Sequence, residues 1–189
     1  MTLDEFKRRY ALQVLPSDDA PKINRVLRQA AVLIALIEKE QELHLILTRR
    51  PTHLRAHPGQ ISFPGGKVEE QDVDRVATAL REAFEEIALP KKNVEILGQY
   101  PIFNTFTGFA IAPIIGIVKE DFKPVLDPGE VDELFTVPLR FLLDPANRIV
   151  KQFTRRGITY PVYFISYEGY FIWGATAAMI DKICRQISA

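Results

Sequence analysis

Cysteine and excess charge are both nearly missing from this sequence. Its 189 residues include one cysteine, Cys184, so no disulfide can form within the chain, and this suits a reducing compartment. Basic and acidic side chains number 24 each, whereas a strong binder of nucleic acid or of an anionic membrane usually has a basic excess. The composition therefore argues against both partners, and Cys184 is expected to be a packed side chain of a C-terminal helix.

Long hydrophobic runs are missing too. The longest, Ala30 to Ile37, is too short to cross a bilayer as a helix. The N-terminal stretch MTLDEFKRRYALQ lacks the apolar centre and the small-residue cleavage site of a signal peptide. We therefore expect a soluble cytoplasmic protein with one domain over residues 1–189, in which a short N-terminal helix and a linker occupy about residues 1–28.

The apolar pattern predicts strands and helices that do not alternate strictly, which favours an α+β fold. A capping box at Thr2 to Glu5 predicts the N-terminal helix, and AAVLIALI and LHLILT predict a hairpin of roughly six-residue strands around the turn EKEQE. Pro113 predicts a bulge or an edge in its strand, and Trp173 is expected in the core. Further strands are predicted at ISF, VEILGQY, FAIAPIIGIV, ELFTVPL, TYPVYFISY and YFIW, with helices after VPL and at the C-terminus.

Residues 72–87 have the apolar period of a helix with one core face, formed by Val73, Val76, Ala77, Leu80, Phe84 and Ile87. Glu82, Glu85 and Glu86 share another face near the C-terminal end. Their mutual repulsion and the helix dipole both disfavour them there, so a cation should offset the charge. Arg81 reaches Glu85 at i+4, which leaves Glu82 and Glu86 free for a hard divalent cation such as Mg²⁺. A solvated helix face is the competing interpretation.

A basic loop, Thr48 to Gln60, precedes the tight turn PGG and this helix. Arginines in such a loop bind phosphates well, and backbone carbonyls at a glycine turn can ligate a hard metal. Loop, turn and acidic helix together predict a metal-bridged polyphosphate site. A solvated loop is the alternative, and a zinc site at His53 and His57 is disfavoured because Pro58 and Gly59 interrupt any helix there.

These residues resemble the Nudix box, Gly-x5-Glu-x7-Arg-Glu-U-x-Glu-Glu-x-Gly-U, where U is aliphatic. Gly66 and Arg81 to Leu89 match it, Asp72 stands at its first glutamate, and eight residues rather than seven precede Arg81. Ala88 replaces the final glycine, so we expect the helix to end without a left-handed residue, at Pro90. The upstream stretch LILTRRPTHLRAHPGQISFPGG is similar to the signature of coenzyme A pyrophosphatases, and GEVDELFTVPL and YFIWGATAAMI also resemble that subgroup.

The resemblance implies an α/β/α sandwich around a mixed sheet, with a loop-helix-loop catalytic motif. It also implies metal-dependent hydrolysis, with Mg²⁺ or Mn²⁺, of CoA or acyl-CoA to 3′,5′-ADP and 4′-phosphopantetheine or its acyl form. Glu82 and Glu86 are the expected principal metal ligands, with Glu85 as a further ligand or a partner of Arg81. Gly66 would add its carbonyl by analogy, and either Glu82 or Glu130 would be the base. The expected substrate contacts are Arg49, Arg55, His57 and Gln60.

Several alternatives stay open. Another nucleoside diphosphate derivative, such as ADP-ribose or a dinucleotide, would suit the same box, and a non-catalytic nucleotide-binding module would suit the same scaffold. A structural RNA-binding protein is not supported, because the sequence has no excess of basic residues. Phe103, Phe106 and Phe109 either stack on an adenine or pack within the protein. The sequence is compatible with a monomer or a homodimer.

Overall fold

The computed structural model describes residues 1–12, 26–54, 57–119, 122–155 and 157–188. Its elements are α1 (Leu3–Leu12), β1 (Arg28–Lys39), β2 (Glu42–Arg49), β3 (Ile61–Ser62), β4 (Gly65–Lys67), α2 (Arg75–Ile87), β5 (Val94–Gln99), β6 (Phe103–Asn104), β7 (Phe109–Val118), β8 (Glu133–Pro138), α3 (Leu139–Leu143), β9 (Ile149–Arg155), β10 (Ile158–Tyr167), β11 (Tyr170–Trp173) and α4 (Ala175–Ser188), with short 3₁₀ turns at Lys91–Asn93 and Pro145–Asn147.

The main sheet is mixed, as predicted. Its central order is β3-β2-β1-β7-β5, with β4 added to β1, β6 to β7 and β8 to β2. Strands β1 and β7 run parallel over ten residue pairs, and the other pairings are antiparallel. The turn predicted at PGG continues directly into β4, because Gly65 and Gly66 pair with Val32 and Ala31 of β1.

Helices cover both faces of this sheet, which confirms the α/β/α arrangement. On one face, Ala79, Ala83 and Ile87 of α2 pack against buried residues of β1, β2 and β7. On the other face, α1, α3 and α4 pack against alternate residues of the same strands through side chains such as Phe6 and Ile180. Cys184 belongs to this second core, and its exposure of 1% confirms the expected packed thiol.

The first hairpin is longer and its turn tighter than predicted. Strand β1 has 12 residues and β2 has 8, and Glu40 and Gln41 alone connect them. Both have positive φ angles, 50° and 65°, as a two-residue turn needs to match the twist of its strands. The capping of α1 by Thr2 is confirmed, since its hydroxyl accepts the Glu5 N–H. The linker predicted at Pro16 to Pro21 lies outside the described residues.

The predicted core face of α2 is confirmed in part: Ile87 is buried and Val76 and Leu80 pack against the core, but Val73 and Phe84 are exposed. The helix begins at Arg75 rather than Asp72, so Val73 precedes its first turn and is 90% exposed. Phe84 is 54% exposed, whereas the small side chains Ala79 and Ala83 are fully buried. The alanines let the helix approach the sheet closely, and the large Phe84 is left at the margin.

Pro113 lies inside β7, with β1 on one side and the break between β5 and β6 on the other, so the predicted edge is confirmed locally. Its carbonyl accepts the Tyr100 N–H at 2.8 Å. In a strand the amide N of a residue points the same way as its carbonyl, so the missing donor of Pro113 falls at the gap between β5 and β6, where no ladder bond is needed.

The sequence did not predict β9, and with β10 and β11 this strand forms a second, antiparallel sheet. One face of that sheet contributes Ile165 and Ile172 to the core. Trp173 lies on the opposite face and is 44% exposed, so its predicted core position is wrong. Within the described ranges, none of the helices has the length and hydrophobicity of a membrane span.

Candidate functional site

Helix α2 begins and ends with well-formed caps. The Asp74 carboxylate accepts the Ala77 N–H at 2.7 Å. At the other end Ala88 adopts the left-handed conformation, φ 56° and ψ 31°, so the prediction of another termination is wrong. The N–H groups of Ala88 and Leu89 bond to the Phe84 and Ala83 carbonyls, and Leu89 is 1% exposed. These bonds and this burial offset a backbone cost of about 1 kcal/mol for a non-glycine residue.

A loop from Val125 to Val131 docks on this end of α2. The Val125 N–H donates to the Ile87 carbonyl at 3.3 Å, and the Asp127 N–H donates to the Glu86 carbonyl at 3.1 Å. Both carbonyls belong to the last turn, where no intrahelical partner exists. The Glu130 N–H then closes a turn onto the Asp127 carbonyl at 3.0 Å. The docked loop therefore presents Glu130 beside the acidic face of α2.

Glu82, Glu86 and Glu130, here called the three-acid cluster, offer carboxylate oxygens that all lie within 4.8 Å of one another. Glu86 is 4% exposed, the Glu82 side chain is 13% exposed, and Glu130 is exposed. The Glu82 carboxylate lies against Gly66, since a Cβ on that glycine would be 2.3 Å from Oε1. A side chain at this glycine would therefore displace the Glu82 carboxylate from its present position.

The electrostatics of the three-acid cluster are unfavourable as they stand. Burial, followed by the charges of Glu82 and Glu130, raises the pKa of Glu86 to about 8. The Gly65 N–H at 3.4 Å and the charge of Arg50 oppose this rise only in part. Burial also raises the pKa of Glu82, although Arg81 opposes the rise.

A second acidic group, the Asp72 cluster of Asp72, Thr78 and Arg81, has the opposite character. Nε and Nη2 of Arg81 each donate to one Asp72 oxygen at 3.0 Å. The Thr78 hydroxyl and the Glu69 N–H also donate to Asp72, both at 2.9 Å. The hydrogen bond from Arg81 is the largest of the causes that lower the pKa of Asp72.

Arg81 also orients the acids of α2. Its Nη1 donates to Glu82 at 3.0 Å and to Glu85 at 2.9 Å. Glu85 is therefore held by Arg81, which is one of its two predicted roles, and its side chain is 56% exposed outside the three-acid cluster. Sequence reasoning gave Arg81 only one acidic partner and missed its bidentate pairing with Asp72, nine residues earlier.

The two adjacent arginines at the end of β2 point to opposite faces of the sheet. Arg49, a predicted substrate contact, forms ion pairs with Asp132 and Glu133 at 2.9 Å and 3.1 Å. Because side chains alternate along a strand, Arg50 lies on the same face of the sheet as Ile46, which packs in the core under α2. The positive charge of Arg50 also lowers the pKa of Glu86. The structure therefore directs Arg50 rather than Arg49 toward the three-acid cluster. Strand alternation could have shown this if the register of β2 had been known.

The other candidates of the basic loop are scattered. His57 is exposed with a positive φ of 54°, and Gln60 is half-buried, with its carbonyl bonded to the Arg50 N–H at 3.0 Å. Arg55 lies outside the described residues. In the described part of the chain, the group of three or more potential metal ligands contains no histidine, so zinc gains no support.

The three candidate aromatic residues have partners within the protein. Phe103 packs partly against the core, with the Lys182 ammonium 5.6 Å from its ring centre. The Arg28 guanidinium lies 4.1 Å from the ring centre of Phe109. Phe106 packs on Tyr160 with ring centres 4.6 Å apart. The alternative of packing within the protein therefore describes these rings.

The three-acid cluster fits a hard divalent cation. All its donors are carboxylate oxygens, the class of ligand that Mg²⁺ and Mn²⁺ prefer. Among the described residues, no ion pair neutralises the buried Glu86, and a buried carboxylate without a cation is costly. The arrangement suits chemistry on an anionic substrate that itself needs charge neutralisation.

Comparisons with known proteins agree with this geometry. The family model described as NUDIX domain matches residues 27–156. Over 187 residues the chain is 41% identical to "Uncharacterized Nudix hydrolase NudL" of Enterobacter sp. (strain 638), covering 99% of this chain and 95% of the relative. The protein of that name from Escherichia coli (strain K12) is 40% identical over 190 residues, with the same coverage.

Solved structures resemble the chain in fold. A C. elegans Ap4A hydrolase binary complex superposes with a TM-score of 0.57 at 16% identity, covering 86% of this chain and 96% of that one. A MutT/nudix family protein from Enterococcus faecalis has a TM-score of 0.53 at 16% identity, covering 100% and 70%. At such identities the likeness concerns the fold alone.

Proposed function

The chain belongs to the Nudix hydrolase family, and from this premise we propose that it hydrolyses the diphosphate bond of CoA or acyl-CoA. The products are 3′,5′-ADP and 4′-phosphopantetheine or its acyl form. The observation that carries the proposal is the three-acid cluster, whose oxygens lie within 4.8 Å beside the segment that resembles the CoA signature.

The position of that signature segment supports the choice of substrate. Residues Leu45 to Gly66 run through β2, the basic loop, β3 and into β4. Its last two glycines touch the cluster, since the Gly65 N–H reaches Glu86 and Gly66 lies against Glu82. The end of this stretch therefore contacts two of the three acids, and the stretch continues from the acids into the basic loop that is expected to bind substrate.

Glu82 and Glu86 would hold Mg²⁺ or Mn²⁺, with the Gly66 carbonyl as a further ligand by analogy with the family, and Glu130 lies beside these two acids. When bound, such an ion lowers the pKa of a water and neutralises phosphate charge. Arg81 fixes the Glu82 carboxylate through its 3.0 Å hydrogen bond, so this acid is oriented before substrate arrives. Glu85 shares Arg81 and supports that orientation from outside the cluster.

Glu130 is the better of the two candidate bases. Glu82 is largely covered and bonded to Arg81, whereas Glu130 is exposed and meets solvent directly. A base must lie within hydrogen-bond reach of the water whose proton it takes. Glu130 would therefore accept that proton, and Glu86, the most buried of the three acids, would be a ligand of the ion.

On the substrate side, Arg50 takes the place predicted for Arg49, together with Arg55, His57 and Gln60. A guanidinium suits a diphosphate because it donates two parallel hydrogen bonds to phosphate oxygens. A charge-assisted hydrogen bond contributes about 1.5–3 kcal/mol, so Arg50→Ala should raise KM by about 10-fold or more. An unchanged KM and kcat in steady-state assays of that variant would remove Arg50 from the substrate site.

The deciding experiment is a hydrolysis assay with Mg²⁺ and with Mn²⁺ on CoA, acyl-CoAs, ADP-ribose, NADH and Ap4A. The products are identified by mass spectrometry, and Glu86→Gln serves as the inactive control. We expect 3′,5′-ADP from CoA species at the highest kcat/KM. Turnover of ADP-ribose or a dinucleotide without turnover of CoA would identify that compound as the substrate and contradict the proposal. No turnover of any compound would favour a nucleotide-binding module.

A further inference from the structure

Arg49 is attached twice to the segment that follows Glu130. Its backbone carbonyl accepts the Asp132 N–H at 2.9 Å. Its guanidinium donates to Asp132 Oδ2 through Nε at 3.2 Å and through Nη2 at 2.9 Å. Nη2 also lies 3.1 Å from Glu133 Oε2, across the register pair between β2 and β8. These contacts pair the Arg49 guanidinium with two protein acids at a side chain that is 40% exposed.

The second acid in this network is itself anchored. The Tyr170 hydroxyl donates to Glu133 Oε1 at 2.7 Å. The Tyr170 ring stacks on Phe135 of β8, with ring centres 3.7 Å apart and planes within 2°. Arg49 therefore connects β2 to β8 and, through Glu133, to β11 of the second sheet.

The backbone around Glu130 is anchored on its α2 side by the Asp127 turn and the buried Val131, and Arg49 adds an anchor on the other side at Asp132. Among the residues that the structure describes, no hydrogen bond holds the Glu130 carboxylate, which faces two other acids. Repulsion would move an unsupported loop away from α2. The fixed point on the far side of Glu130 is Asp132, held by Arg49.

We propose that Arg49 is a positioning residue that holds Glu130 in the three-acid cluster by fixing Asp132 and Glu133. The inference rests on the proposed function, in which Glu130 acts on the attacking water. Arg49 acts through Glu130 and makes no contact with substrate. Loss of Arg49 should therefore lower kcat, whereas loss of the adjacent Arg50 should raise KM.

The test is a double-mutant cycle of Arg49→Ala and Glu130→Gln, measured on whichever diphosphate the wild-type enzyme hydrolyses. General base catalysis contributes about 10²–10⁴-fold, so Glu130→Gln should lower kcat by at least about 100-fold. Loss of a residue that orients a functional group costs about 10–100-fold, so Arg49→Ala should lower kcat by about 10-fold with KM within about twofold. The double variant should match Glu130→Gln alone, because the effect of Arg49 passes through Glu130.

Further variants separate positioning from general damage to the fold. Tyr170→Phe removes one hydroxyl from the network and should lower kcat in the same direction by a smaller factor. Arg49→Lys restores a charge without the two-pronged geometry and should recover part of kcat. Arg140→Ala removes an ion pair with Glu42 at a 69% exposed side chain on α3, and it should leave kcat unchanged. Circular dichroism melting confirms that each variant is folded.

The outcomes are distinct. A raised KM with normal kcat in Arg49→Ala would make Arg49 a substrate contact and overturn the inference. Multiplicative losses in the double variant would also overturn it, because Arg49 would then act independently of Glu130. Normal kcat in Glu130→Gln would instead remove Glu130 from the proposed mechanism and leave nothing to position. If Arg49→Ala does not fold, the cycle is completed with Tyr170→Phe.

Discussion

Two buried carboxylates near α2 occupy opposite environments. The Asp72 side chain is 3% exposed and Glu86 is 4% exposed. Asp72 accepts four hydrogen bonds, two of them from a guanidinium, and its pKa is lowered. Glu86 faces two further acids and one distant N–H group, and its pKa is raised to about 8.

This difference teaches how to distinguish a structural acid from a functional one. Both side chains are covered, but Glu86 lies deeper, and the donors around Asp72 outweigh the effect of its burial. A carboxylate whose oxygens all have donors stabilises the folded chain, whereas one buried beside like charges destabilises it until a cation arrives. Perturbed acids of the second kind cluster at functional sites. On this argument we expect Asp72 to matter mainly for stability and Glu86 mainly for activity.

The largest expected effect is the loss of activity in Glu86→Gln. An amide keeps the shape of the side chain but removes the charge that would bind the cation. A metal ion supplies several kcal/mol of transition-state stabilisation, so kcat with Mg²⁺ should fall by about 10³-fold. Steady-state assays at saturating substrate measure this change. Equal Mg²⁺-dependent turnover in the wild type and in this variant would contradict the assignment of Glu86 as a ligand.

The next effect concerns the stability of the metal-free protein against pH. Glu86 has an ordinary pKa of 4.5, which applies to the unfolded chain, and a pKa of about 8 in the fold. Between these values the folded protein binds more protons, so its free energy of unfolding should fall as pH rises from 4.5 to 8. We expect a loss of about 3 kcal/mol, since one pKa unit corresponds to about 1.4 kcal/mol and the charged site can relax.

Urea unfolding in EDTA, at pH 4.5 and at pH 8, measures this dependence. Glu86→Gln should match the wild type at pH 4.5 and exceed it in stability at pH 8, because the amide has no charge to bury. Added Mn²⁺ at 100 times its dissociation constant should raise wild-type stability by about 2.7 kcal/mol. A flat profile for the metal-free wild type would mean that the buried acid already has a sufficient partner.

Substitution of Asp72 should produce a smaller effect. It should lower the free energy of unfolding rather than kcat. Asp72→Ala removes the bidentate partner of Arg81, which still retains Glu82, Glu85 and the Lys67 carbonyl. Hydrogen bonds to charged groups contribute about 1.5–3 kcal/mol, so the free energy of unfolding should fall by about 2 kcal/mol. With Mg²⁺ present, kcat should stay within about threefold of the wild type.

The control for this prediction is Asp74→Ala, which removes the N-cap of the same helix without touching Arg81 and should cost about 1 kcal/mol. Denaturant unfolding compares the three proteins. A folded Asp72→Ala protein with the activity of Glu86→Gln would abolish the distinction between the two carboxylates.

Much of this comparison could be predicted from the sequence, and the rest depends on tertiary contacts. The spacing of Glu82 and Glu86 places both on one helix face, and the sequence proposed Glu130 as a possible base although it lies far along the chain. Which of two adjacent arginines faces the cluster depends on strand register, which one sequence does not display. The exposure of Phe84 is not evident from the sequence, because the smaller Ala79 and Ala83 make the contacts of α2 with the sheet.

Two other misses have similar causes. Strand β9, Ile149–Arg155, has exposed apolar residues on both faces, namely Ile149, Val150 and Phe153, so its pattern lacks the clear division between buried and solvated sides. The residue type of Trp173 alone predicts a core position, although Ile172 is the buried neighbour in β11. In both strands the residue types are compatible with either face of the sheet. The pairing with β10 determines which side chains face the core.

The smallest expected effect lies at the end of α2, one turn from the acids. Ala88 is left-handed, a conformation that costs a residue with a Cβ about 1 kcal/mol and glycine almost nothing. Ala88→Gly should therefore stabilise the folded protein by about 0.5–1 kcal/mol, since part of the gain is lost to the greater freedom of glycine in the unfolded chain. Thermal unfolding with and without EDTA measures this gain, and kcat should be unchanged. Because Glu86 and Ile87 receive the docked loop through their carbonyls, a changed kcat would show instead that the position of Glu130 depends on how this helix ends.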